Sequence, residues 1–85
     1  MVAKVEIYTS PSCPYCVRAK TLLDKKSVSY TEVRVDQNPQ TFEEMVRRSN
    51  GKRTVPQIFI NGVNVGGFDD LWNLEKQGKL DRLLI

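Results

Sequence analysis

The sequence predicts an α/β fold in which four strands form one mixed sheet with helices on both of its faces. Short β-branched segments alternate with segments of helical apolar spacing, in the order β-α-β-α-β-β-α. The dipeptide Asn61-Gly62 between the last two strands is typical of a two-residue hairpin. The hairpin strands are therefore antiparallel, whereas the first β-α-β unit is parallel and right-handed.

The first half of the chain supplies two strands and two helices. Residues 4–9 and 30–35 are β-branched and alternating, which predicts strands. Helices are predicted from residue 14 to about residue 26 and from residue 39 to about residue 49, because each begins with a proline, whose missing N–H costs nothing at that position. The apolar residues expected on their buried sides are Val17, Ala19, Leu22, Leu23, Phe42, Met45 and Val46.

The second half supplies the hairpin and a last helix. Strands are predicted at residues 55–60 and 63–65, and a helix from residue 68 or 69 to residue 77, where Gly78 ends it. The apolar residues of the C-terminal tail are expected to pack against the body, namely Leu80, Leu83 and Leu84.

Length and composition point to one small folded domain over residues 1–85. The net charge of +3 comes from 13 basic and 10 acidic residues, an excess too mild to indicate nucleic-acid binding. A local basic cluster is either a solvated helix end or an anion site, and it consists of Arg47, Arg48, Lys52 and Arg53.

The sequence shows neither a leader segment nor a membrane span. Lys4 and Glu6 interrupt the N-terminal segment where a leader would have an apolar stretch. Every apolar run is far shorter than about 20 residues, the length that crosses a bilayer. We therefore expect a cytosolic protein with no membrane contact.

The two cysteines, Cys13 and Cys16, are too close in sequence for their disulfide to stabilise the fold. Zinc prefers four ligands, and the chain has only these two cysteines and no histidine. No metal is expected. A C-x-x-C pair within a β-α-β pattern instead indicates reversible redox chemistry.

The pair lies where a strand end meets a helix N-terminus. The first-turn N–H groups and the helix dipole favour a negative charge at Cys13, so the pKa of its thiol is expected below the free value of about 8.5. Cys13 is the predicted nucleophile. Cys16 lies three residues further into the helix, on the same face and more buried, and is the predicted resolving thiol.

Three motifs together resemble the dithiol glutaredoxins, especially the short bacterial type. They are Cys13-Pro14-Tyr15-Cys16, Thr54-Val55-Pro56 and Gly66-Gly67-Phe68-Asp69-Asp70, and the resemblance extends over residues 5–84. It implies a thioredoxin-like fold and a glutathione-dependent thiol-disulfide oxidoreductase. The implied substrates are protein disulfides and protein-glutathione mixed disulfides, and the implied state is a monomer.

The resemblance also implies a glutathione site. Pro56 would be cis and lie beside Cys13, and the Val55 backbone would pair with glutathione like an added strand. The γ-glutamyl carboxylate would meet the helix N-terminus at Phe68 and Asp69, with Asp70 or Asp69 holding the ammonium. The remaining implied contacts are Tyr15, Thr54 and Gly67, with Lys52 or Arg53 for the glycine carboxylate.

The chain departs from the family pattern at two positions. Ser10-Pro11-Ser12 stands where members often carry a lysine, and Phe68 stands where some bacterial relatives have a third cysteine. Two rival functions remain: a redoxin reduced by thioredoxin reductase, and a carrier of a [2Fe-2S] cluster, which Pro14 disfavours. Trp72 is expected to be a core or half-buried helix residue rather than a ligand.

Overall fold

The computed structural model describes residues 3–85. Met1 and Val2 lie outside the described residues, although they belong to the predicted domain and to the N-terminal segment in which no leader is expected. The predicted order of elements is confirmed, with one short helix added at the C-terminal end. The elements are β1 (Val5–Thr9), α1 (Pro14–Lys25), β2 (Tyr30–Arg34), α2 (Pro39–Arg48), β3 (Gln57–Ile60), β4 (Val63–Gly66), α3 (Phe68–Lys76) and α4 (Leu80–Leu83).

The sheet has the strand order β2-β1-β3-β4 and is mixed, as predicted. β1 and β2 are parallel, with Val5 opposite Tyr30, whereas β1 and β3 are antiparallel, with Ile7 opposite Ile58. β3 and β4 form the predicted antiparallel hairpin around Asn61 and Gly62. The left-handed backbone at both turn residues, with φ values of 53° and 82°, is why asparagine and glycine occupy them.

Alternation along the central strands divides the core between the two faces of the sheet. Ile7 and Ile58 belong to a cluster packed with Leu23 of α1 and Leu71 of α3. Tyr8 and Phe59, each the next residue along its strand, pack with residues of α2. Because successive strand side chains point to opposite faces, α2 covers one face while α1 and α3 cover the other.

Several local predictions were wrong. Val17 is 58% exposed, because the buried stripe of α1 follows the i, i+3, i+7 spacing of Cys16, Ala19 and Leu23, and Val17 lies beside that stripe. Leu83 is 41% exposed, because the one turn of α4 buries Leu80 and Leu84 at i and i+4. The third strand begins two residues later than predicted, at Gln57.

Arg48 is part of the structural framework rather than a free cation of the basic cluster. Its guanidinium donates to both carboxylate oxygens of Glu6, at 3.0 and 3.2 Å, and to the Tyr8 hydroxyl at 2.8 Å. That hydroxyl donates to Glu44 at 2.9 Å. The hydrogen bonds from Arg48 lower the pKa of Glu6, and burial raises the pKa of Tyr8. The network thereby joins α2 to β1.

We predict that Glu6→Gln destabilises the fold by about 1–2 kcal/mol at pH 7, because it removes the charge from a partly buried, doubly hydrogen-bonded pair. The lowered pKa of Glu6 means that this contribution is complete above its ordinary value of 4.5 and is lost as the pH falls through the folded value. Urea unfolding at pH 7 and pH 3 measures both effects.

The matched control is Asp36→Asn, which breaks the more exposed ion pair with Arg34. It should cost less than about 1 kcal/mol. A penalty for Glu6→Gln that is the same at pH 3 as at pH 7 would contradict the role assigned to the ionised Glu6.

Candidate active site

Cys13 is the N-cap residue of α1. Its backbone is extended, with φ −129° and ψ 97°, and its Sγ accepts a hydrogen bond from the Cys16 backbone N–H at 3.1 Å. Pro14 follows at the first helical position, where a rigid φ favours helix initiation. The sulfur therefore stands where the unpaired N–H groups of the first turn point.

The two cysteines form a disulfide with a Cα–Cα separation of 5.2 Å. Cys16 is 1% exposed, whereas Cys13 is only partly buried. An incoming reactant thus has access to Cys13 but not to Cys16, and this asymmetry agrees with the order of attack expected from the sequence.

The Val55–Pro56 peptide bond is cis, as expected, and lies beside the disulfide. The Val55 carbonyl oxygen is 3.7 Å from Cys13 Sγ. Gln57, the next residue, is paired with Tyr8 of β1, the strand that leads into the cysteine loop. Val55 itself precedes β3, so its backbone groups lie outside the ladder of the sheet.

The N-terminus of α3 forms the opposite wall of the site. Gly67 is its N-cap residue, and the Gly67 N–H donates to the Asp70 carboxylate at 3.0 Å. Gly66 has a φ of 115°, and a Cβ on it would overlap the Asp70 carboxylate, so glycine is required there. The hydrogen bond between Gly67 and Asp70 holds the chain before α3 close to the first turn of the helix, and other N–H groups of that turn remain directed outward.

One groove of about 310 Å³ contains nine of the ten residues proposed from the sequence to contact glutathione. These are Tyr15, Lys52, Thr54, Val55, Pro56, Gly67, Phe68, Asp69 and Asp70. Arg53 does not line the groove, and its guanidinium lies 5.0 Å from the centre of the Phe42 ring. Of the two candidate cations, Lys52 alone lines the groove.

Sequence reasoning missed Gln57, which also lines the groove. Its side chain is buried, donates to Thr54 Oγ1 at 3.4 Å and accepts from Asn64 Nδ2 at 3.2 Å. Asn64 Oδ1 in turn accepts from Lys52 Nζ at 3.4 Å. The available signal was the single polar residue in the buried strand Gln-Ile-Phe-Ile.

An aromatic row extends from the groove along the protein surface. The ring centres of Tyr15 and Phe68 are 6.0 Å apart, and those of Phe68 and Trp72 are 6.3 Å apart. The ring planes of Phe68 and Trp72 are nearly parallel. The Arg18 guanidinium lies 5.2 Å from the Tyr15 ring centre. Trp72 lies outside the groove and is 43% exposed, so it occupies a half-buried position on α3, as expected.

Within residues 3–85, no group of three or more histidine, cysteine, aspartate or glutamate side chains has a metal-binding arrangement. No helix in the same part of the chain is long and apolar enough to cross a membrane.

The glutaredoxin family model matches residues 5–65, a span that includes the cysteine pair and the cis proline. The chain belongs to the glutaredoxin family. Glutaredoxin 1 of Rickettsia prowazekii is 58% identical over 79 residues, which cover 92% of this chain and 83% of that protein. Glutaredoxin 3 of Escherichia coli K12 is 54% identical over 83 residues, which cover 98% and 99% of the two chains.

Solved glutaredoxin structures have the same fold. The Brucella melitensis glutaredoxin solution structure matches with a TM-score of 0.85 and 51% identity, covering 98% of this chain and 89% of that one. The buckwheat glutaredoxin-glutathione complex matches with a TM-score of 0.86 and 29% identity, covering 96% and 76%. The fold is therefore thioredoxin-like, and the protein is a thiol-disulfide oxidoreductase.

Proposed function

We propose that this protein uses glutathione to reduce protein-glutathione mixed disulfides and protein disulfides, with Cys13 as nucleophile and Cys16 as resolving thiol. One observation carries the proposal. The more accessible sulfur of the pair, that of Cys13, lies at a helix N-terminus and beside the Val55 carbonyl, which borders the groove.

The monothiol route needs only Cys13. Its thiolate attacks the glutathione sulfur of a mixed disulfide, and the substrate leaves as a thiolate that takes a proton from water. A second glutathione thiolate then attacks the Cys13-glutathione disulfide and releases glutathione disulfide and the Cys13 thiolate. The hydrogen bond from the Cys16 N–H to Sγ supports this role, since a thiolate accepts such a bond more strongly than a thiol does.

The dithiol route also uses Cys16. Cys13 attacks a protein disulfide and forms a mixed disulfide with the substrate, which Cys16 breaks by closing onto Cys13. The disulfide between these two residues is the product of that step. Two glutathione molecules then supply the two electrons and two protons that return both cysteines to thiols, and they leave as one glutathione disulfide.

The groove offers a partner for each polar group of glutathione. The Val55 backbone suits the cysteinyl backbone, and the α3 N-terminus at Phe68 and Asp69 suits the γ-glutamyl carboxylate. Asp70 already accepts from Gly67, which favours Asp69 for the ammonium. Lys52 is assigned to the glycine carboxylate. Similarity to the buckwheat glutaredoxin-glutathione complex supports the co-substrate.

The remaining parts of the proposal concern the setting of the reaction. We propose a monomeric, cytosolic, single-domain enzyme whose partners are disulfide-bonded or glutathionylated proteins, with neither nucleic acid nor membrane involved. We also expect no metal, although a structure described under "Metal Binding of Glutaredoxins" matches with 52% identity and a TM-score of 0.74. A visible absorption spectrum of anaerobically purified protein tests for the rival iron-sulfur cluster, which would be coloured.

We predict that Cys13→Ser abolishes glutathione-dependent reduction of a glutathionylated peptide, whereas Cys16→Ser retains it, because the monothiol route needs one thiol. The assay couples glutathione disulfide formation to NADPH oxidation through glutathione reductase. An inactive Cys16→Ser variant would falsify the assignment of this route. An unmodified chain that is inactive here but active with thioredoxin reductase would favour the rival redoxin.

We further predict that Lys52→Gln raises the KM for glutathione by up to about fivefold, the range of one exposed ion pair. Arg53→Gln removes the same charge at the neighbouring position and should leave the KM within about twofold, because Arg53 lies over Phe42 outside the groove. Steady-state kinetics with varied glutathione measures both. Equal increases for the two variants would show a general charge effect in place of a specific contact.

A further inference from the structure

A second groove adjoins the first on the outer side of α1 and α3. Its volume is about 220 Å³, and it is lined by Val17, Arg18, Thr21, Leu22, Lys25, Phe68 and Trp72. Phe68 lines both grooves, so the second groove continues directly from the proposed glutathione site. Small-molecule sites begin at about 300 Å³, so this volume suits side chains of a bound peptide better than a second small molecule.

The groove combines an exposed apolar floor with cations. Val17 and Trp72 are 58% and 43% exposed and line one groove together with Phe68, and contiguous exposed apolar surface of this kind, unlike scattered single residues, marks interaction sites. Arg18 and Lys25 line the same groove, and neither has an acidic partner within ion-pair distance among residues 3–85. None of the described lining residues is acidic. The complementary ligand is therefore apolar and negatively charged.

We propose that this groove docks the segment of a substrate protein that flanks its reactive cysteine, and that it selects segments with an apolar side chain beside carboxylates. The apolar side chain would lie between α1 and the Phe68–Trp72 pair, and the carboxylates would face Arg18 and Lys25. The proposal rests on the proposed function, since the docked segment is the one whose disulfide Cys13 attacks.

The spacing along α1 sets where the apolar residue of the substrate must be. At about 1.5 Å per residue, Val17 and Lys25 lie roughly 6 and 18 Å from Cys13 along the helix axis. An extended peptide advances about 3.3 Å per residue. The preferred apolar residue is therefore about two to five positions from the substrate cysteine.

The test compares two glutathionylated peptides with the protein and three variants. Each peptide has phenylalanine three positions from the cysteine on both sides, flanked by aspartates in one peptide and by lysines in the other. Lys25→Glu replaces one of the two cations of the groove with an anion and so cancels its net positive charge, and Thr21→Trp fills the groove with a bulky side chain. The control Lys76→Glu makes the same charge change in the last turn of α3, outside the groove.

We expect the unmodified protein and Lys76→Glu to reduce the aspartate peptide with a kcat/KM roughly fivefold above that for the lysine peptide at low salt. Lys25→Glu should bring this ratio to about one or below, and Thr21→Trp should lower kcat/KM for the aspartate peptide. All four proteins should reduce the mixed disulfide of glutathione and 2-mercaptoethanol equally, because that substrate has no flanking segment.

The outcomes separate this proposal from the one on which it rests. An unmodified protein that is inactive on the small mixed disulfide would overturn the proposed function, and the docking proposal with it. Normal activity on the small substrate, together with equal peptide rates or with a preference that survives in Lys25→Glu and Thr21→Trp, would overturn the docking proposal alone.

Discussion

The structure depends on the short connection between the end of β1 and the first turn of α1. β1 is a central, buried strand, so its end has a well-defined position in the sheet. The chain leaves it through Ser10-Pro11-Ser12, and Pro14 then starts the helix. Cys13 is held between these two elements as the N-cap residue, with its sulfur among the first-turn N–H groups. A local capping interaction is thereby also the chemical centre of the protein.

The other walls of the site follow from the sheet. β3 pairs with β1 from Gln57 onward, which brings Val55 and Pro56 beside the end of β1. β4 then returns antiparallel to β3 and delivers Gly66 and Gly67 to the same edge, where α3 begins. Three segments distant in sequence thus meet because β1 and β4 end, and β3 begins, at the same edge of the sheet. The N-termini of α1 and α3 both face this edge, which favours anionic reactants.

The family resemblance implied nearly all of the groove residues. The sequence itself predicted the elements and the mixed sheet, because turn, cap and proline signals are local. It failed where the outcome depended on neighbours in space. Val17 is spaced along α1 so that it borders the stripe of buried residues. Only tertiary packing decides which of the two borders of that stripe is covered by the rest of the protein. Lys52 and Arg53 are adjacent cations in the sequence. Only the position of Phe42, against which Arg53 lies, determines that Lys52 lines the groove and Arg53 does not. Gln57 fits a buried strand because Thr54 and Asn64 satisfy its amide.

In the mechanism that we propose, the two grooves divide recognition between parts of the substrate. The first presents backbone and charged partners suited to glutathione, which is the same in every mixed disulfide. The second presents an apolar surface and unpaired cations, which can distinguish one protein from another. Because Phe68 borders both grooves, a ligand bound in one groove lies within side-chain reach of the other groove.

The most direct test of the account is to measure the ionisation of Cys13 in the Cys16→Ser variant. The readout is the rate of iodoacetamide alkylation as a function of pH between about pH 4 and pH 10. The account predicts a midpoint clearly below about 8.5, the pKa of a free cysteine, because the helix N-terminus stabilises the thiolate even without an upstream lysine. A midpoint at or above that value would contradict the claim that the capping position activates the nucleophile.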